Sequence, residues 1–317
     1  MPQSLPMPAA RPEAVSLAPR CVLCGARAVT WRGELATCLW CGARWPRGCC
    51  NPWDRLAALL AEGAVHTDPA RLGGLLLDDY TFRSAALANG LAFAPDAGPV
   101  IHGHRMQPAR GHLRRIVPGP ARNVTLVVLS RAADRALEDL LAATAGHFAA
   151  TIVVVDAMRA SPHTDATVLA CPLDRFDVSR NQAQAAVRTP WVLHLDTDER
   201  LDRRTLASVG GLAAMADGAG LHAVGFPRRN LVDGALSDLW PDVQYRLVRR
   251  TVRFRGRVHE RPDACDDWRR TMIALGMPIE HRLTGAHVAA RQARYDALGQ
   301  SAERAAEAEA LQRPYSA

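Results

Sequence analysis

The chain has 317 residues, 48% hydrophobic and 22% charged, enough for one large domain with a smaller one beside it. No apolar run approaches the ~18 residues of a membrane helix, and the start of the chain lacks the apolar stretch of a signal peptide. The net charge is +7 and every basic residue is an arginine, which suits a phosphorylated substrate, a nucleic acid or an anionic membrane surface without choosing among them.

In chain order, residues 1–20 are Pro- and Ala-rich and read as a disordered leader. Residues 21–50 hold six of the eight cysteines. Cys21-Val22-Leu23-Cys24-Gly25 and Cys38-Leu39-Trp40-Cys41-Gly42 form two Cys-x-x-Cys-Gly knuckles separated by thirteen residues. Four thiolates at that spacing predict a closed, structural Zn²⁺ site of the zinc-ribbon kind on Cys21, Cys24, Cys38 and Cys41. Cys49 and Cys50 are left over, and Cys171 and Cys265 read as buried hydrophobes. Arg27, Trp31, Arg32, Arg44 and Trp45 flank the knuckles, but a protein partner or a buttressing role is preferred over nucleic acid. A cysteine-rich chain without an export signal belongs in a reducing cytoplasm.

Residues 51–120 form a helical segment and linker, with helices expected at Trp53–Leu60 and Pro69–Leu77. Residues 93–120, rich in Pro, Gly and His and carrying His102, His104 and His112, read as a flexible connection.

Residues 121–317 change character. Val124–Leu129, Thr151–Val155, Val168–Ala170 and Trp191–Leu195 are apolar, β-rich runs. They alternate with helical patterns at Leu137–Ala145, at Asp177–Val187 with Asp177 as N-cap, and at Arg203–Ala214. Alternation of this kind predicts a mostly parallel sheet with helices on both faces. Ligands of such sheets bind beyond the carboxyl ends of the strands, which selects Ser130, Asp156 and Asp196. Asp196-Thr197-Asp198-Glu199 places three carboxylates in four positions directly after a strand. A hard cation such as Mg²⁺ or Mn²⁺ would offset their repulsion, with Asp196 and Asp198 as ligands on one side of an extended segment. The plainer alternative is a solvated turn capping the helix that follows.

From Asn123 to about Tyr295 the sequence resembles family 2 glycosyltransferases of the GT-A fold, closest to the branch that builds lipopolysaccharide cores. The resemblance rests on Ser130, Asp156, Arg180-Asn181 and Asp196-Thr197-Asp198-Glu199 in order, then on Pro227–Asn230, Trp240–Arg250 and Gly256–Arg261. It departs at Leu129-Ser130-Arg131 and at Ala157–Ser161, which lacks the usual Gly-Ser-x-Asp pattern.

The resemblance implies a Rossmann-like GT-A domain and a hexosyltransferase type of activity. Ser130, Asp156, Arg180, Asn181 and Asp196 would bind a nucleotide-sugar, a UDP-sugar being favoured. Asp196 and Asp198 would hold the metal. Asp242, beside a Trp240 expected to stack on a sugar ring, is the first candidate for the base, and Glu260 the second. One base without an evident nucleophile implies single displacement with inversion. The alternative for Asp242 is an ion pair with Arg246, and for Arg180 an ion pair with Asp177. His259 and His281 are candidates to reach the metal or diphosphate. The arginines from Arg246 to Arg257, with alternation over Thr251–Val258, predict one basic strand face. That face would meet an anionic glycan or lipid-linked acceptor, with peripheral contact at the inner membrane face. Two other readings are a sugar-1-phosphate nucleotidyltransferase, opposed by the absence of glycine from Ser130–Asp134, and a non-catalytic zinc-ribbon adaptor with a degenerate transferase domain.

Overall fold

A computed structural model describes residues 20–46, 70–72, 75–77, 79–95, 100–102, 105–107, 111–131, 134–156, 165–173, 175–256, 260–296 and 302–315. The expected helix at Trp53–Leu60 lies outside these residues, as do Cys49, Cys50, His104, Arg257 and His259.

The cysteine module is a three-stranded antiparallel sheet of Val29–Arg32 (β1), Leu35–Cys38 (β2) and Arg44–Pro46 (β3). Two readings fail in the next segment. Pro69–Leu77 is not a helix: Ala70–Leu72 (β4) pairs with Leu75–Leu77 (β5). Gly73-Gly74 between two short apolar runs is a hairpin signal that outweighs the helical content of leucine. Residues 93–120 are likewise not a featureless linker. After the helix Asp79–Ala88 (α1), Leu91–Pro95 (β6) pairs with Gly111–Arg115 (β9), and Val100–His102 (β7) pairs with Arg105–Gln107 (β8).

The main body is a mixed ten-stranded sheet, parallel in five of its nine pairings. Its strands are Ala121–Ser130 (β10), Phe148–Val155 (β11), Ala166–Ala170 (β12), Trp191–Asp196 (β13), Glu199–Leu201 (β14), Ala223–Val232 (β15), Ala235–Leu236 (β16), Asp242–Arg249 (β17), Thr271–Ile273 (β20) and Ile279–Leu283 (β21). A separate pair, Phe254–Arg255 (β18) and Arg261–Pro262 (β19), stands beside it. The order β12-β11-β10-β13 is parallel throughout, and β17 then runs antiparallel to β13.

Helices cover both faces, and the strands show why. Val124, Leu126 and Val128 of β10 lie in one apolar cluster with Leu140 of helix Ala136–Thr144 (α2) and Leu212 of helix Arg203–Gly218 (α4). Val127 and Leu129, on the opposite pleat, join a second cluster with Ala183 of helix Phe176–Ala186 (α3). A strand buried on both sides is apolar on both pleats, and β10 is so over Leu126–Leu129. Two further helices, Gly285–Asp296 (α5) and Ala302–Gln312 (α6), close the chain. Among the described residues no helix is long and apolar enough to cross a membrane.

Two helix starts differ from expectation. The N-cap of α3 is Arg175, not Asp177, whose carboxylate lies inside the first turn and accepts from the Arg175 guanidinium at 2.9 Å. Helix α4 is capped by Asp202, which accepts from the Thr205 N–H at 2.6 Å, so the 196–199 acids are not its cap.

Candidate active site

The acids predicted from sequence meet at the carboxyl end of β13, in a network that neither local spacing nor composition shows. Asp196 ends β13 and is clamped from two sides: Arg180 of α3 donates to Oδ1 at 2.9 Å, and Arg246 of β17 donates to Oδ2 at 2.6 Å. Arg246 also donates to Glu199 at 2.6 Å, and Arg180 donates to Glu260 at 2.6 Å. Arg228 of β15 reaches Glu199 at 3.2 Å and Asp242 at 2.6 and 2.8 Å. Glu199 is fully buried and its Oε2 also accepts from the Asp196 N–H. The pairings Asp177–Arg180 and Asp242–Arg246 are therefore replaced by contacts across the sheet. Arg228 and Asp242 face each other in register on β15 and β17.

Electrostatics follow from this layout. Burial alone would raise the Asp196 carboxyl, but Arg246, Arg180 and Arg228 hold it well below the usual range. Burial likewise opposes the charge of Asp242, and Arg228, Asn230 and Gln244 overcome it, so this carboxyl too is lowered. Beneath the arginines, His194 is fully buried, packs edge-on against Phe254 at 4.9 Å, and is pushed well below its ordinary value, first by burial and then by Arg180 and Arg246.

Asp198 points elsewhere. Its carboxylate faces His281 Nε2 at 3.2 Å, because β14 and β21 pair Glu199 with His281. The other ring nitrogen, Nδ1, lies 2.7 Å from Asn230 Oδ1. The Asn230 amide nitrogen donates to Leu239 O and Asp242 Oδ2, so its oxygen is the end that faces the ring and Nδ1 carries the proton. Nε2 faces the Asp198 carboxylate, as a hydrogen-bond donor when the ring is charged and as a lone pair open to a cation when it is neutral. A nitrogen and a carboxylate oxygen about 3 Å apart are spaced as adjacent ligands of a small divalent cation. Across the network, Asp196, Asp198, Glu199, Asp242 and Glu260 oppose Arg180, Arg228 and Arg246, an excess of two negative charges before any proton on His281. The residues thus fit a divalent cation, with Asp198 and His281 as the open pair and Asp196 committed to arginines. Asp196 and Asp198 are engaged by different partners, arginines for the one and His281 for the other. Thr197 between them donates to Asp134 and anchors the loop.

The remaining expected residues are placed as follows. Ser130 is buried and its hydroxyl donates to Arg131 O, turned to its own chain. Asp156 is exposed just beyond β11. Arg180, 1% exposed, is a buried bridge between Asp196 and Glu260, not a surface fork. Asn181 spends its amide on the backbone of Phe254, at 2.8 and 2.9 Å. Trp240 is not an open sugar platform: it is 2% exposed, and its indole N–H donates to Cys38 O at 3.2 Å. The alternation expected over Thr251–Val258 is present in its described part, with Val252 and Phe254 buried, whereas the denser run of arginines divides. Arg246 is buried in the site, while Arg253 and Arg255 are exposed.

Sequence reasoning missed the roles of Arg228, Asn230, Gln244 and Arg246. A signal was available. Arg228 and Asn230 are two apart on β15, and Asp242, Gln244 and Arg246 are two apart along β17, the spacing of one strand face.

The four knuckle cysteines form a second centre, and among the described residues theirs is the one group of three or more metal-type side chains that converges. Sγ atoms of Cys21 and Cys41 are 3.6 Å apart and those of Cys24 and Cys38 3.7 Å. A tetrahedron with Zn–S near 2.3 Å has edges of about 3.8 Å, so the donors fit zinc. The N–H groups of Leu23 and Cys41 point at Sγ of Cys21 and Cys38. Hydrogen bonds among the crowded thiols drive Cys24 and Cys38 below the usual thiol range and Cys21 and Cys41 above it. A cation at their centre would hold all four as thiolates.

No protein-family model matches this chain, and no curated protein matches it. Solved structures do match in part. S. aureus TarS overlaps 42% of this chain and 30% of its own, at 13% identity and a TM-score of 0.30. TarS 1-349 in complex with UDP-GlcNAc overlaps 50% of this chain and 58% of its own, at 13% identity and a TM-score of 0.36. The chain therefore spans less than two thirds of the length of these structures.

Proposed function

We propose that this protein is a divalent-metal-dependent glycosyltransferase of GT-A type that moves a hexose from a nucleotide-sugar, a UDP-sugar being favoured, to an acceptor. The observation that carries the reading is the Asp198–His281 pair on the mixed sheet, beside a carboxylate network that, counted with Asp198, holds two more acids than arginines. Asp198 and His281 Nε2 would hold Mg²⁺ or Mn²⁺, which supplies charge neutralisation for a diphosphate leaving group. Asn230 fixes the tautomer that leaves Nε2 as the ligand atom. Asp196, gripped by Arg180 and Arg246, keeps that wall of the cleft rigid. Ser130 and Asp156 border the nucleotide end of the same sheet edge.

Of the two candidate bases, the geometry favours Glu260. Asp242 accepts from Arg228, Asn230 and Gln244 on both oxygens, which lowers its affinity for a proton. Among the described residues the contacts of Glu260, to Arg180 and Arg246, are at Oε1, and Oε2 is the oxygen that would take a hydroxyl proton in an inverting displacement. The acceptor is read as an anionic glycan or lipid-linked sugar at the inner membrane face. In support, Arg253, Arg255, Arg261, Arg269 and Arg270 are exposed on β18, β19 and the turns that hold the exposed Trp268.

Calorimetric titration with a panel of nucleotide-sugars, with and without Mn²⁺, tests the reading. Metal-dependent binding that is lost in Asp198→Ala and His281→Ala is expected. Tight binding indifferent to metal would refute the site. Glu260→Gln is expected to retain donor binding and lose 10²–10⁴-fold in turnover. An unaffected Glu260→Gln with an inactive Asp242→Asn would return the base to Asp242.

A further inference from the structure

The zinc-ribbon module does not hang free of the sheet. It is bonded to the segment that leads into the candidate site. Cys38, a knuckle ligand, accepts at its carbonyl oxygen from the Trp240 indole N–H at 3.2 Å. Arg44 of β3 donates to Trp240 O at 2.6 Å. Gly42 abuts Pro241 so closely that an added Cβ would lie 2.6 Å from the proline Cβ. Arg32 pairs with the buried Asp238, which is also gripped by Arg313 from the C-terminal end, and the Arg32 guanidinium lies over the Tyr315 ring.

The segment held in this way has a second set of bonds, and all lead inward. Ser237 N–H donates to Asn230 O at 2.8 Å. Leu239 O and Asp242 Oδ2 accept from the Asn230 amide nitrogen, and Asn230 Oδ1 faces His281 Nδ1. A continuous chain of contacts therefore runs from the cysteine tetrad through Trp240 and Asp242 to Asn230, His281 and Asp198.

We propose that the metal-loaded ribbon is a positioning module for the Asp198–His281 pair, holding the 237–242 segment so that Asn230 presents His281 Nε2 to Asp198. The ribbon acts through Trp240 and Asn230 and touches no substrate. Groups that orient a ligating histidine usually affect metal affinity by 10–100-fold. The cation end of this inference rests on the proposed function, and the contact between ribbon and segment does not.

Gly42→Ala is the test, because it acts at the contact and lies outside the site. Gly42 has φ +78°, so alanine there is strained as well as crowded. Gly33→Ala is the control: φ is +57° and nothing lies within 4 Å of an added Cβ, so it strains the ribbon alone. Trp240→Phe, which keeps an aromatic ring and removes the indole donor, serves if Gly42→Ala fails to fold. Zinc content, Mn²⁺ affinity by electron paramagnetic resonance titration, and amide hydrogen exchange over residues 237–242 are measured on the full chain. The expected result is retained zinc, roughly tenfold weaker Mn²⁺ binding and faster exchange in 237–242, with Gly33→Ala close to the parent. Unchanged Mn²⁺ affinity and unchanged exchange in zinc-loaded Gly42→Ala would overturn the inference. If the parent binds no Mn²⁺, the proposed function falls and exchange alone decides whether the ribbon holds the segment.

Discussion

Arg246 illustrates how single side chains carry this site. It is buried, its charge is stabilised by Asp196 and Glu199 against the cost of burial, and it contacts three of the five carboxylates. Removing one partner of such a network leaves the others charged and dry. Arg246→Met is expected to cost roughly 3–5 kcal/mol in urea unfolding; a loss below 1 kcal/mol would mean that Arg228 alone compensates Glu199. At this scale the sequence was partly legible. Asp196 and Asp198 read as candidates from their place directly after a buried strand, and Glu260 only from the family resemblance. Their partners did not, since Arg228 and Arg246 differ in no local way from the exposed arginines around them. The pairings depend on β15 and β17 lying side by side, and composition carries no trace of register.

At the scale of elements, the strands with the strongest apolar runs were read correctly, because burial on two faces demands apolar residues at every position. Short strands between glycines were not, because three-residue segments carry too little periodicity to separate from helix or loop. Helix α4 shows packing overriding propensity. Gly210 sits mid-helix where alanine would be favoured by about 1 kcal/mol, yet an added Cβ would lie 3.0 Å from the Cα of Ala121 and 3.2 Å from Pro120 O. Gly210→Ala is expected to lower stability by about 1–3 kcal/mol in thermal or urea unfolding. Stabilisation instead would show that the helix shifts without cost. Asp202→Ala at the start of the same helix is expected to cost about 1 kcal/mol.

For the whole molecule, acid is expected to act on one set of carboxylates. Asp196, Asp198, Asp238 and Asp242 all lie below the ordinary carboxylate range in the folded chain, against burial that would raise each, because arginine, asparagine, glutamine or histidine partners favour the charged form. A lowered folded value means stability that is present above the unfolded value of ~3.9 and is lost as pH falls through the folded values. The urea midpoint should therefore hold from neutral pH to about 5 and fall steeply below about 4. A midpoint that rises on acidification would contradict the network. Since Asp238 joins Arg32 of the ribbon to Arg313, the ribbon contact should loosen in the same range, with exchange over 237–242 rising first. By itself the sequence determined the cysteine tetrad and the double-sided sheet, since knuckle spacing and apolar runs are local requirements of thiolate geometry and of burial. Only the tertiary structure decided that Asp198 faces His281, that Asp196 belongs to two arginines, and that Trp240 fastens the ribbon to the site. Those contacts join residues from tens to about two hundred positions apart, and strand register and docking, which no local pattern encodes, bring them within hydrogen-bonding reach.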